Sequence, residues 1–224
     1  MAANINQNRQ PLQPLSDSTM TKFILKSISL MGITLAWNLS GTGIARAAEQ
    51  SSFNCKKVET GSMADLICRD AELKRLDRKM AGVYAAASRK AKNEHPPVLK
   101  AEQRGWIKGR DDCWKSEDKK DCLQRSYQDR IAELQARYRL VEHTGPFTFV
   151  CDGNPSNEVV ITYFKTEPST LIAEHGDSVS LMTVQPSGSG ARYQGRNESF
   201  WEHQGIAKII WGYQVPEMTC KLSP

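Results

Sequence analysis

The spacing of apolar residues changes once along this chain, at Gly145-Pro146. Before that point they recur three and four apart. Leu73, Leu76, Met80, Val83, Tyr84 and Ala87 follow Asp70; Leu99, Trp106, Ile107 and Cys113 come next; Leu123, Tyr127, Ile131, Leu134 and Tyr138 follow Lys120. Such spacing lays one buried stripe along each of three helices, and His95-Pro96-Pro97 breaks the first from the second. After Gly145-Pro146 apolar residues alternate. FTFVC (147–151), EVVITYF (158–164), STLIAE (169–174), SVSLMTV (178–184), ARYQG (191–195), ESFWEH (198–203), AKIIWG (207–212) and EMTCKL (217–222) are short β-rich runs. Turn residues such as Asp152-Gly153-Asn154-Pro155, Gly176-Asp177 and Gly195-Arg196-Asn197 divide them. One segment cannot satisfy both periods, so the chain reads as two domains, all-α then all-β. About eight strands in so short a segment suggest a small antiparallel barrel or sandwich, closed to protect its edges.

The N-terminus reads as a secretory signal peptide. Lys22 and Lys26 precede an apolar run around Ile28–Trp37, and Ala45-Arg46-Ala47 carries small residues where signal peptidase reads, so cleavage is expected after Ala47. The run is too short for a transmembrane helix, and no cysteine stands at the cleavage site, so no stable membrane anchor is expected. Residues 1–19 are polar, and Met20 is an alternative initiator. The expected division is signal peptide 1–47, helical domain 48–143 and β domain 144–224, with export to the periplasm or beyond. All six cysteines, Cys55, Cys68, Cys113, Cys122, Cys151 and Cys220, follow the leader. An even count in an exported chain reads as three disulfides, with fifteen pairings open. Local spacing favours Cys55–Cys68 and Cys113–Cys122, leaving Cys151–Cys220 to clasp the ends of the last segment. With no Cys-x-x-Cys and no histidine at ligand spacing, neither a metal nor another cofactor is called for.

The net charge of +5 is uneven: +3 over residues 1–47, +5 over 48–146 and −3 over 147–224. The basic part alternates signs along helix faces, as a solvated surface does, so nucleic acid is not the expected partner. The acidic part suits a cationic one. Within it stands SGSGARY, Ser187–Tyr193. A phosphate cradle would continue Gly-Lys-Ser/Thr into a helix, and here strand follows. A serine nucleophile needs a positioned base; His95, His143, His175 and His203 are scattered, and only His203 could lie close. A tight hairpin without function and a presented loop both remain open. Small residues let a backbone enter a narrow cleft, and a serine hydroxyl both donates and accepts.

FTFVCDG, VVITYF, SGSGARY, FWEH and the closing cysteine, over residues 147–222, resemble the MliC-type inhibitors of C-type lysozyme. FNC, DLICRDAELKRLDRKMAGVY, QRGWIKGRDDC and CLQRSYQDRIAEL, over residues 53–134, resemble the LprI lysozyme-inhibitor domain. The resemblance implies a small disulfide-bridged helical domain followed by an eight-stranded antiparallel β-barrel, a protein that is not an enzyme, and C-type lysozyme as partner. It implies that Ser189 meets the catalytic carboxylates, that Gly188, Gly190 and Tyr193 shape the loop, and that Ser187 and Arg192 support it. The family's second loop supplies a lysine, and here that position holds His203, with Glu202 beside it. A lysine stays cationic, whereas imidazoles charge only near pH ~6.5. The departure implies a contact that strengthens as pH falls. Two rival readings are an envelope protein whose helical half binds a partner or the cell wall, and a ligand-binding barrel. Phe149, Ile161 and Ile209 would leave the latter little interior.

Overall fold

In the computed structural model, residues 51–95 and 97–223 are described; residues 1–47, expected to be a signal peptide, lie outside them. The helical part holds α1 (Met63–Arg69), α2 (Ala71–Lys90), α3 (Val98–Asp111) and α4 (Lys119–Arg137). Four helices stand where the spacing predicted three. The addition is α1, which Ser62 starts by accepting from Asp65 N–H. Asp70 ends α1 and starts α2, accepting from the N–H groups of Glu72 and Leu73. The expected first stripe begins after Asp70, so the seven residues of α1 fall outside it.

Leu73, Leu76, Met80, Leu123, Tyr127, Ile131 and Leu134 fill the helical core. The α3 stripe differs from its expectation. Leu99, Gln103, Trp106 and Arg110 face inward, while Ile107 is 40% exposed. Cys113 lies past the helix in the 3-10 turn Asp112–Lys115, and is buried there. One polar chain crosses this core: Arg110 Nη1 donates to Tyr127 Oη, which donates to Asp77 Oδ1, both at 3.0 Å. Burial, with Asp77 alongside, pushes the Tyr127 phenol above its ordinary range despite the opposing Arg110 charge.

The second part is one closed barrel: β1 (His143–Cys151), β2 (Glu158–Phe164), β3 (Thr170–His175), β4 (Ser178–Gln185), β5 (Ala191–Gln194), β6 (Glu198–His203), β7 (Ile206–Trp211) and β8 (Met218–Leu222). Closure decides between the barrel and the sandwich. β1 begins earlier than its FTFVC run and bulges at Gly145-Pro146, where its register on β2 shifts. It pairs antiparallel with both β2 and β8. Every second side chain points inward. Phe149, Val159, Ile161, Leu171, Met182, Phe200 and Ile209 fill the interior, with Phe149 edge-on to Phe200 at 5.6 Å between centroids. These side chains occupy the space where a lipocalin-like barrel would hold its ligand. Cys151 faces Cys220 across the closing seam, and the disulfides are Cys55–Cys68, Cys113–Cys122 and Cys151–Cys220. The link from α4 is short: Lys165 N–H donates to Glu142 O at 3.0 Å, and the Arg139 guanidinium lies 5.9 Å from the Phe164 ring centroid.

Candidate functional site

The sheet places SGSGARY on the β4–β5 hairpin. Val184 pairs with Tyr193 and Gln185 with Arg192, so Pro186–Gly190 is the connection itself, exposed throughout. Two donors converge on one backbone oxygen there. Ser187 Oγ donates to the Ser189 carbonyl at 2.5 Å, and Trp201 Nε1 donates to the same carbonyl at 3.0 Å. With its carbonyl held twice, Ser189 keeps a side-chain hydroxyl that has no hydrogen-bond partner among the described residues.

Gly190 explains the tight approach to the neighbouring hairpin. Its φ is +68°, and a Cβ there would fall on the Glu202 carbonyl, with His203 Cβ only 3.1 Å away. No other residue fits both the conformation and the space. The same closeness brings His203 against the base of the loop. The β6–β7 turn beyond His203 is Gln204-Gly205, both at positive φ, as a two-residue hairpin turn requires. Tyr193 points into the barrel, 5.7 Å from the Tyr163 ring, and burial raises its phenol pKa. Ser187, Gly188, Ser189, Gly190, Tyr193 and His203 thus stand together, with Arg192 pointing outward beside them.

Glu202, next to His203 in sequence, does not share its face of the strand. Strand alternation turns it to the opposite side, where Oε1 accepts from Gly205 N–H at 2.7 Å. It lies near Tyr163, whose phenol is raised first by burial and then by this carboxylate.

Two further residues escaped the sequence reading. Register sets Arg192 opposite Trp201, Trp201 opposite Lys208, and Lys208 opposite Thr219, in one row across the outer wall. Lys208 Nζ donates to Thr219 Oγ1 at 2.7 Å and lies 3.4 Å from Glu217. A groove of about 420 Å³ runs under the loop along this row, lined among others by Pro186, Ser189, Arg192, Trp201, Lys208 and Glu217. Period-two alternation would have put Trp201 and Lys208 on the outer wall, but only register makes them neighbours. Among the described residues no cluster of three or more His, Cys, Asp or Glu could hold a metal ion.

A small disulfide-bridged helical part followed by a filled eight-stranded barrel that displays a pinned hairpin is the class of architecture to be matched. Known proteins narrow it. Residues 149–218 match the family described as membrane-bound lysozyme-inhibitor of c-type lysozyme, and residues 55–134 match lysozyme inhibitor LprI. Lipoprotein LprI of Mycobacterium tuberculosis and that of Mycobacterium bovis are each 30% identical over 159 residues, covering 70% of this chain and 78% of the relative. No solved structure matches the chain. The chain belongs to the LprI family of lysozyme inhibitors, with an LprI-type helical part followed by an MliC-type barrel.

Proposed function

We propose that this protein is a non-enzymatic inhibitor of C-type lysozyme, exported to the periplasm or beyond, whose Ser187–Tyr193 loop enters the substrate cleft and occupies the catalytic carboxylates. In this reading residues 1–47 are the leader, 48–143 the helical domain and 144–224 the inhibitory domain. The observation that carries it is the doubly held Ser189 carbonyl beneath a free hydroxyl. A loop ordered before binding loses less entropy on docking.

The chemistry is complementary. Glycoside hydrolysis needs one protonated carboxyl and one ionised carboxylate flanking the bond. A serine hydroxyl can accept from the first and donate to the second. The loop contains no glycosidic bond, so it blocks without being cut. His203 stands at the loop base as the second contact, Arg192 adds a cation, and Gly188 keeps the tip slender. The −3 balance of residues 147–224 draws a cationic enzyme, an effect on the association rate that salt weakens.

The test is peptidoglycan lysis by C-type, i-type and g-type lysozymes, each titrated with the protein. C-type lysis should stop and the others continue. Ser189→Trp should abolish inhibition at an unchanged melting temperature; a Ser189→Trp protein that still inhibits would refute the loop mode. In the same assay inhibition should tighten from mildly basic to mildly acidic pH, and His203→Lys should flatten that dependence.

A further inference from the structure

Helix α3 shows solvent an unusual amount of itself. Only one side, Leu99, Gln103, Trp106 and Arg110, meets the helical core. On the other, Lys100, Arg104 and Lys108 recur one turn apart, all exposed. None has an ion-pair partner among the described residues. The nearby acids are already engaged. Asp111 holds Arg110 at 2.7 Å, Asp112 holds Lys115 at 2.8 Å, and Glu102 lies 3.6 Å from Arg130. Beside the cations stand two large apolar side chains that a soluble surface would normally cover. Ile107 is 40% exposed and Trp114, two turns further on, is 60% exposed.

Cations beside an aliphatic side chain on the helix, with an indole on the 3-10 turn that follows it, match an anionic bilayer surface. Lysine and arginine stems extend along apolar material while their charges stay with headgroups. Tryptophan favours that same headgroup layer, and isoleucine the acyl boundary just beneath. An acidic protein would satisfy the cations but would leave Trp114 and Ile107 without a reason to be exposed together. Among the described residues no helix is long and apolar enough to cross a membrane, so the contact is with the surface.

We infer that the outer face of α3 and the turn after it form a docking surface for an anionic lipid bilayer. The lipid-facing groups are Lys100, Arg104, Ile107, Lys108 and Trp114. This face lies on the helical part and does not depend on the loop's role.

The experiment is co-sedimentation with vesicles of mixed phosphatidylglycerol and phosphatidylcholine, against vesicles of phosphatidylcholine alone. Wild type and a Lys100→Gln/Arg104→Gln/Lys108→Gln variant are prepared in the same form, so their difference reads this face. Wild type should prefer the anionic vesicles. The variant should partition roughly a hundredfold less, three cations at about fivefold each near an anionic surface, with unchanged melting. The chain holds five tryptophans, so a blue shift in emission that Trp114→Phe removes identifies the contacting one. Equal binding to neutral vesicles, equal partitioning by the variant, or no anionic binding at low salt would each overturn the inference. The last is the result expected of a face built for an acidic protein.

Discussion

Ser189 is fixed through its carbonyl, and in the proposed mode its hydroxyl is the group that meets the partner. In that mode the indole N–H of Trp201 contributes to inhibition through Ser189 and not by direct contact. Trp201→Phe keeps an aromatic ring in the row but removes that donor. A net hydrogen bond is worth about 1 kcal/mol, so inhibition should weaken about fivefold while thermal melting stays unchanged, because the bond lies at an exposed loop. Equal inhibition constants for wild type and variant would show that the loop keeps its form unaided. The loop itself was legible in the sequence, since glycines between two alternating runs mark a hairpin. Its bracing was not. Trp201 and Ser189 are twelve residues apart, and only the pairing of β5 with β6 brings them together. Glu202 shows the converse: it is adjacent to His203 in sequence, and the strand pleat turns the two side chains apart.

Among the elements, the junction of α1 and α2 carries the clearest electrostatic consequence. Asp70 accepts from Glu72 and Leu73 N–H at 2.9 Å and pairs with Lys120 of α4 at 2.7 Å. The Lys120 hydrogen bond first, then the Leu73 N–H, holds its carboxyl below the usual range. A depressed folded-state value means the contribution is present above the unfolded pKa, near ~3.9, and is lost as pH falls through the folded value. Asp70→Ala should therefore cost about 1 kcal/mol at neutral pH, read from the denaturant midpoint. The gap between wild type and variant should close below about pH 4. A gap that persists in acid would mean the loss comes from helix geometry. Strands were easier to read than helices here. EVVITYF and ESFWEH coincide with β2 and β6, because turn residues punctuate the alternation. In α3 the short inward face left too few apolar positions to show that Ile107 turns outward.

At the scale of the whole molecule, the barrel is held shut where β1 meets β8, and Cys151–Cys220 spans that seam across 69 residues of sequence. Closing so long a loop restricts the unfolded chain by roughly 4 kcal/mol in the chain-entropy account. Replacing both cysteines by serine should lower stability by about that amount, measured by chemical denaturation, with the loop unaltered. A variant as stable as wild type would place the barrel's stability wholly in its packing. Periodicity alone could not decide between barrel and sandwich, since both alternate in the same way. The seam distinguishes them, and it joins residues at opposite ends of the segment.

Alternating strand direction also sorts the barrel's connections between two rims. The start of β1 at His143, the Ser187–Tyr193 loop, the Gln204-Gly205 turn and the end of β8 at Leu222 share one rim. The connections at 152–157, 176–177, 195–197 and 212–217 share the other. In the proposed mode an enzyme arrives at the first rim, where β8 also ends. A dye, a surface linker or a fused reporter attached there would crowd the approach. The same label at Gly176-Asp177 would leave the loop clear, which makes the far rim the natural handle for turning this protein into an immobilised lysozyme sensor.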